Sequence, residues 1–369
     1  MASDFAGAGW RSIASSVLRR SLGLQRGQSV LIETWTYALP AAEVIAQQAR
    51  ELGVHPTVLY APEEALVRTP GAPRKAKGAA LSRTEVAAVK ACDGYVFLPP
   101  SVEDQARLDR LPSVLRQHYL SRREELWELL LRYSVPSVYL LAALATDSAA
   151  RKLGVEPRRW QQEAARASVV PRESLDRVAK LVEQRLRRGH TVTITHPTGT
   201  HLELGLLGRL PVIDDGVVDQ RALSTGRAGT VVPGGCVSVA LDESHARGTL
   251  VGEQPNPDRR GGLKKVRWSF ENGRLTEIRA ASGRDFSDEA YQAAGPERDR
   301  PAILVVGLNP ELHDFPFAED QERGVVSVLV GYNDDFGGRT RGSYRQLALV
   351  RGATLLVDDR VLVQSGRLR

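Results

Sequence analysis

The first half of the chain alternates between helical and strand-like patterns of apolar residues. Apolar residues recur three and four positions apart from Trp10 to Leu22, and similar patterns predict helices over 40–52, 81–91 and 174–188. Short apolar runs between the helices predict buried strands at 28–34, 56–60, 94–98 and 137–141. Strands that alternate with helices favour a parallel sheet covered on both faces, so we predict an α/β domain over residues 1–189.

From His190 the pattern changes to short alternating runs separated by Gly, Pro, Asn and Asp. Such runs predict antiparallel strands, and the Asn272-Gly273 pair between two of them predicts a tight hairpin, because both residues tolerate the positive φ of a type I′ turn. The run at 354–364 predicts a second hairpin that turns at Asp358 and Asp359. We therefore predict a strand-rich domain over residues 190–369.

Composition narrows the classes of protein to consider. The chain has 369 residues, 42% apolar and 25% charged, which is typical of globular proteins. Its longest apolar run, 135–145, is far shorter than the roughly 20 residues that cross a bilayer, and no signal peptide is visible. We expect a cytoplasmic protein without a membrane partner, whose cysteines Cys92 and Cys236 are reduced.

The net charge of +6 rests on arginine, since only seven of the 50 basic residues are lysine. Arginine side chains bind carboxylates in a bidentate manner, which favours an acidic peptide as a partner. The alternative is that the arginines are ordinary surface charges of a GC-rich genome. The basic residues are scattered and show no pattern typical of nucleic-acid binding, so we expect no nucleic-acid partner.

Two polar groups in the second half are candidates for chemistry. Asp242, Glu243 and His245 could hold a metal if a turn gathered them, or they could be solvated loop residues. Cys236 begins an apolar strand after a Pro-Gly-Gly turn. It could be a nucleophile, although no base lies nearby in sequence, or it could be a small buried apolar residue.

His313 and Asp314 form a third candidate, because a neighbouring carboxylate can orient an imidazole for acid–base work. The alternative is a capped turn after Pro310. The sequence contains no H-E-x-x-H motif, no phosphate loop and no dinucleotide fingerprint. We therefore expect no cofactor.

The order of these segments resembles the metallo-aminopeptidases of the aminopeptidase T type. The matching stretches are SLGLQRGQSVLIE at 21–33, THPTGTHLELGLLGR at 195–209, VVPGGCVSVALDESHARGTLV at 231–251, FENGRLTEIRAASG at 270–283, VGLNP at 306–310, YNDDFGGRTRGSYRQ at 332–346 and LLVDDRVLVQSGRL at 355–368. The resemblance covers most of the chain, and it implies an α/β domain followed by an antiparallel, strand-rich domain.

In that family, Glu, His and Asp residues hold two divalent metal ions. The resemblance places other residue types at those positions, namely Cys236, Ile303, Ser327, Arg345 and Leu347. Two hard cations need several carboxylates to offset their charge, so the resemblance implies a scaffold without metal, in which Arg345 replaces the metal charge.

A scaffold of this kind resembles the peptide-binding proteins of crocagin-type ribosomal peptide biosynthesis. The resemblance implies a homodimeric pseudoenzyme that binds a precursor or leader peptide and presents it to the tailoring enzymes of the pathway or assists its modification. An extended peptide could add a strand to a sheet edge. The predicted peptide-binding residues are Cys236, Ser327, Arg339, Arg341, Tyr344 and Arg345.

Two alternatives involve chemistry at this protein. The first is an active metallo-aminopeptidase or a related metal-dependent oxygenase, whose metal has moved to Asp242, Glu243 and His245. The second is modification of the bound peptide by Cys236, His245 or His313 without metal.

Overall fold

The computed structural model describes residues 5, 8–60, 81–111, 113–255, 263–279, 291, 294–342 and 344–369. The sequence at 68–78 has no apolar periodicity and predicts an exposed loop, but it lies outside this part of the chain. The fold divides into two compact units, one of Met1–Val169 and Gly216–Pro233, the other of Val170–Asp215 and Gly234–Arg369. Within the described residues, every helix is too short or too polar to cross a bilayer.

A parallel sheet forms the centre of the first unit. Its strands are β1 (Ser29–Thr34), β2 (His55–Tyr60), β3 (Gly94–Phe97), β4 (Ser137–Leu140) and β8 (Gly229–Val232). They lie in the order β2, β1, β3, β4, β8, and each adjacent pair is parallel. The predicted α/β class of this part of the chain is therefore confirmed.

Helices accompany this sheet, and those at 8–16, 39–51 and 83–91 lie where the apolar spacing predicts helices. They are α1 (Ala8–Ser16, followed by a π-helical turn at Val17–Ser21), α2 (Leu39–Glu51), α3 (Arg83–Ala91), α4 (Val102–Asp109), α5 (Ser113–Arg132), α6 (Asp147–Leu153), α7 (Pro157–Ser168) and α9 (Gln220–Ser224). Ser82 and Ser101 begin α3 and α4 with capping boxes, in which each hydroxyl accepts a hydrogen bond from the backbone amide three residues on.

The second unit is an antiparallel sheet with one long helix, α8 (Arg172–Arg188). Its strands are β5 (Thr191–His196), β6 (Thr200–Gly205), β7 (Val212–Asp214), β9 (Cys236–Ala240), β10 (Ala246–Gln254), β11 (Leu263–Glu271), β12 (Arg274–Arg279), β13 (Pro301–Gly307), β14 (Val326–Gly331), β15 (Arg345–Val350), β16 (Thr354–Val357), β17 (Arg360–Gln364) and β18 (Arg367–Leu368). The main path runs β18, β17, β16, β5, β6, β10, β15, β14, β13, β9, β7, while β11 and β12 extend from β10. The predicted antiparallel class is confirmed.

Both predicted hairpins are present. Asn272 and Gly273 have φ values of 49° and 70° between β11 and β12, and Asp358 and Asp359 have φ values of 45° and 65° between β16 and β17. Positive φ at two successive positions is the geometry that a type I′ turn requires.

The predicted boundary at residue 189 differs from the observed division in two places. Helix α8 precedes that residue, yet it packs on β7 and β9 of the second unit through Leu175, Ala179 and Val182. Strand β8 follows the residue, yet it pairs in parallel with β4 of the first unit. The chain therefore returns to the first sheet before it enters β9. It passes into the second unit for the second time between Pro233 and Gly234.

Candidate functional site

Strands β9, β13, β14 and β15 carry side chains on two faces, because successive residues of a strand point to opposite sides. One face belongs to the main core of the second unit and includes Val237, Leu304, Val328 and Ala348. We call the opposite side the second face; it carries Cys236, Ser238, Ile303, Val305, Ser327, Leu329, Leu347 and Leu349.

The strand register brings the predicted site positions together on this second face. Ile303 lies opposite Leu329, which in turn lies opposite Leu347 on the next strand. Cys236 lies opposite Gly307, and Ser327 lies opposite Val305. Residues from distant parts of the chain therefore share one surface of the sheet.

Cys236 behaves as a buried apolar residue in this setting. It is 7% exposed and packs in a cluster with Ala302, Ile303 and Val305. Its Sγ lies 3.8 Å from the Oγ of Ser238, which is a weak polar contact. The nucleophile interpretation required a general base. The strand register places Gly307 on one side of Cys236 and the carboxylate of Asp214, on β7, on the other.

Ser327 is fully buried at the middle of the second face. Its Oγ has no hydrogen-bond partner among the residues that the structure describes. A buried hydroxyl without a partner carries a desolvation cost, and the side chains opposite it on the neighbouring strands, Val305 and Leu349, are apolar.

Arg345 begins β15 at the end of the second face, where its charge is satisfied locally. The guanidinium stacks on the ring of Tyr332 at 3.7 Å, Nε donates to the carbonyl oxygen of Tyr332 over 3.0 Å, and Nη2 pairs with Asp335. These contacts hold the ends of residues 332–345 together. We call this segment, which joins β14 to β15, the arginine loop.

Arg339 and Arg341 lie on the arginine loop and differ from Arg345. Both side chains are exposed, and neither has a hydrogen bond or an ion pair with the described residues. Tyr344 is half-buried; its hydroxyl donates to Gln346, and its ring meets that of Tyr291 edge-on at 5.5 Å. Two guanidinium groups are thus available for an external partner.

A buried carboxylate, Glu243, accepts hydrogen bonds from the arginine loop. Its Oε2 accepts from Nη2 of Arg209 over 2.7 Å, and its Oε1 accepts from Nδ2 of Asn333 over 2.9 Å and from the backbone amide of Arg339 over 2.7 Å. Burial by itself would raise the pKa of Glu243. The bonds from Arg209, Arg339 and Asn333 outweigh that effect and lower the pKa to about 2.

Asn333 completes the support of the loop. Its Oδ1 accepts from the backbone amide of Thr340 over 3.0 Å and from the Thr340 hydroxyl over 2.7 Å. Sequence reasoning missed both Asn333 and Arg209. They lie 90 and 34 positions from Glu243, and no local pattern predicts contacts at that separation.

The neighbours of Glu243 in sequence have separate roles. Oδ1 of Asp242 accepts from the amide and the hydroxyl of Ser244, which closes a local turn. His245 pairs through Nε2 with Glu203 over 3.0 Å on the exposed side of the sheet. Since each of the three groups has its own partner, the arrangement does not fit the relocated metal site that the sequence allows.

Among the described residues, no group of three or more His, Cys, Asp or Glu side chains is arranged to hold a metal ion. The second face supplies one thiol, hydroxyl groups and aliphatic side chains, and Asp214 of β7 lies opposite Cys236. Hard divalent cations prefer carboxylate and carbonyl oxygens, so a donor set with one carboxylate does not fit a centre of two metal ions.

The third candidate pair is not built for acid–base chemistry. His313 and Asp314 are exposed, and Oδ1 of Asp314 accepts from Nη2 of Arg351 over 2.9 Å. Arg351 also pairs with Glu322 and lies 3.5 Å from Glu253. The carboxylate therefore belongs to an ion-pair network that joins the 314–322 segment to β10 and β15.

Comparison with solved structures shows the fold. AmpT of Thermus thermophilus, an aminopeptidase T, superposes with a TM-score of 0.74 at 18% identity, covering 98% of each chain. The 2,5-dihydroxypyridine dioxygenase of Pseudomonas putida superposes with a TM-score of 0.65 at 17% identity, covering 98% of this chain and 96% of the other. No protein-family model and no curated protein matches the sequence. The fold is therefore aminopeptidase T-like.

Proposed function

We propose that this protein is a metal-free pseudoenzyme that binds a precursor or leader peptide of a ribosomal peptide pathway. The observation that carries the proposal is the composition of the second face. Cys236, Ile303, Ser327 and Leu347 share that face, and none of these four side chains is a carboxylate or an imidazole; the strand register adds one carboxylate, Asp214 of β7, opposite Cys236. Such a surface can bind a peptide, whereas it offers poor ligands for two divalent cations.

The arginine loop supports an acidic peptide as the ligand. Arg339 and Arg341 present two exposed guanidinium groups; Glu243 binds the backbone amide of Arg339, and Asn333 binds that of Thr340 between them. Arginine forks bind carboxylates through two parallel hydrogen bonds, and a loop that is already ordered loses little entropy on binding. Acidic side chains of the peptide would meet these two residues.

Strand β15 supports an extended conformation for the bound peptide. In the described part of the chain, β15 is paired with β14 along its whole length, but on its other side it is paired only at Leu349, with Glu253 of β10. A peptide that lies along Arg345–Ala348 would complete this side through main-chain hydrogen bonds. We further propose a cytoplasmic homodimer that passes the peptide to the tailoring enzymes of its pathway.

The test is a binding measurement that excludes metal. The precursor peptide encoded beside this gene would be titrated into the protein by calorimetry in buffer with EDTA. The double variant R339A/R341A should weaken binding about tenfold or more, because charge-assisted hydrogen bonds are lost. The variant R360A/R367A removes two exposed arginines elsewhere in the second unit and is the matched control. Binding that EDTA abolishes, or that both double variants weaken equally, would overturn the proposal.

Elemental analysis distinguishes the metal-free function from the alternative, an active metal-dependent enzyme. Protein purified without chelator should contain well under one equivalent of zinc, iron or manganese. A stoichiometric metal, together with hydrolysis or oxidation of the peptide, would instead indicate an active metallo-aminopeptidase or a related oxygenase.

A further inference from the structure

The carboxyl ends of the parallel strands in the first unit carry an unusual group of aromatic and charged side chains. Glu33 lies near the end of β1, Trp35 follows that strand, Phe97 ends β3 and Tyr139 lies near the end of β4. Helix α5 adds Tyr119, Arg123 and Trp127. In open parallel sheets, ligands bind in the crevice outside the carboxyl ends of the strands.

A buried ion pair lies at the centre of this group. Nη1 of Arg123 donates to Oε1 of Glu33 over 2.7 Å, and the Tyr95 hydroxyl donates to Oε2 of the same carboxylate. Arg123 is 7% exposed and Glu33 is 2% exposed. The guanidinium stacks on Phe97 at 3.8 Å and lies 5.5 Å from the ring of Trp127, so aromatic rings enclose the pair.

Two donors in the group remain unused. Nη2 of Arg123 and Nε1 of Trp35 are buried, and neither has a hydrogen-bond partner among the described residues. Native proteins pair nearly all buried donors, because an unpaired one keeps its full desolvation cost. Two such donors at one end of a parallel sheet can bind an acceptor atom of a ligand.

Tyr119 packs against Trp35 and lies one helical turn before Arg123 on α5. Its ring lies 6.3 Å from that of Trp35 in an edge-on arrangement. Burial raises the pKa of Tyr119 to about 12; the charge of Arg123 acts against that rise, and the charge of Glu33 adds to it. The phenol therefore lies within electrostatic reach of the ion pair while it contacts the indole. Phe97 and Tyr139, whose rings are 5.1 Å apart, extend the aromatic surface.

The charge of the site selects the class of ligand. Glu33 and Arg123 neutralise each other, so a second anion would enter a buried site without a counter-charge, at a large desolvation cost. A neutral carbonyl oxygen can accept from the spare N–H groups without that cost. The aromatic side chains around the donors favour a flat, apolar body.

We propose that the first unit has a binding site for a small, neutral, flat molecule whose carbonyl oxygen accepts hydrogen bonds from Arg123 Nη2 and Trp35 Nε1. Tyr119, Phe97 and Tyr139 line the site. It is built from the first unit alone, and it does not depend on the peptide function of the second unit.

The test uses probes that differ in charge and little in shape. Benzamide, nicotinamide and indole-3-carboxamide would be titrated into the full-length protein by calorimetry, alongside benzoate, nicotinate and indole-3-carboxylate. We expect at least one amide to bind with a Kd below about 1 mM and its carboxylate to bind at least about tenfold more weakly.

Two tryptophan variants identify the site. W35F keeps an aromatic ring and the Glu33–Arg123 pair but removes one donor, and it should weaken amide binding about five- to tenfold. W268F is the matched control, because the Trp268 indole is also buried with an unpaired N–H, but it lies in the second unit. The proposal is overturned if no amide binds, if the carboxylates bind as tightly as the amides, or if W268F weakens binding as much as W35F.

Discussion

The backbone amide of Arg339 donates a 2.7 Å hydrogen bond to Oε1 of Glu243, which lies 96 positions earlier in the chain. The same carboxylate accepts from Arg209 and Asn333, so three separate segments meet at one buried charge. A residue that the sequence offered as a metal ligand therefore positions the loop that presents Arg339 and Arg341.

Replacement of Glu243 should loosen this loop. In E243Q the amide nitrogen would face the donor of Arg209, so we expect a loss of about 2 kcal/mol in the free energy of unfolding at pH 7. The folded-state pKa of Glu243, about 2, is below its unfolded value of about 4.3. Its contribution is therefore complete above pH 4.3 and is lost as the pH falls toward 2.

Urea denaturation from pH 2.5 to 7, followed by far-ultraviolet circular dichroism, would measure this difference. The exposed Glu271 supplies the control variant E271Q, which should match the wild type throughout. A constant difference between wild type and E243Q across this range would contradict the assignment of a charged, hydrogen-bonded Glu243.

A substitution at Gly338 would test sterically whether Asn333 holds the arginine loop in place. A Cβ at this position would lie 1.9 Å from Oδ1 of Asn333, the atom that accepts from Thr340. We expect G338A to displace Asn333, to lower the thermal midpoint and to weaken peptide binding in parallel. Gly337 has a φ of 78°, and a Cβ at this position would have no atom within 4 Å. Asparagine tolerates positive φ, so G337N should leave both measurements nearly unchanged.

Features with a strong local signal could be predicted from the sequence. The Asn272-Gly273 hairpin follows from two residues that tolerate positive φ, and helix α8 follows from apolar spacing over 174–188. The likeness of the segments to aminopeptidase T also placed Cys236, Ile303 and Leu347 at related positions, and the strand register puts them on one face.

Features that depend on distant contacts could not be predicted. Strand β8 looks like the start of the antiparallel domain, and only its pairing with β4 assigns it to the parallel sheet. Arg345 resembles Arg339 and Arg341 in sequence, but its stacking on Tyr332 sets it apart. The 90-residue separation of Glu33 and Arg123 likewise leaves no trace in local spacing.

The contribution of Glu319 to the free energy of unfolding should depend on pH in the opposite sense to that of Glu243. Burial is the main cause that raises its pKa to about 7; a hydrogen bond from its own backbone opposes the rise, and the charge of Asp320 adds to it. Because the folded pKa is above the unfolded value, the folded protein loses stability as the pH rises from about 5 to 8. We expect E319Q to match the wild type at pH 5 and to be about 1–2 kcal/mol more stable at pH 8.

Thermal unfolding at both pH values would check this expectation. Glu322 provides the contrast, because it pairs with Arg351. E322Q breaks that ion pair and should be less stable than the wild type at pH 5 and at pH 8. Equal stability of E319Q and wild type at pH 8 would show that Glu319 ionises without cost.

The character of the second face can be tested at Cys236 itself. The side chain is 7% exposed among Ile303, Val305 and Ala302, so a carboxylate at this position would be buried without a partner. We expect C236D to cost about 3 kcal/mol or more at pH 8 and less at pH 5, where protonation removes the charge. C236A and C236S remove the thiol without adding charge and should cost about 1 kcal/mol. Manganese or zinc at millimolar concentration should not restore the thermal midpoint of C236D, because Ile303, Ser327 and Leu347 add no ligand to the two carboxylates that C236D and Asp214 would supply. If either metal did restore it, the second face would retain a cation site, and the metal-free function proposed for the protein would be wrong.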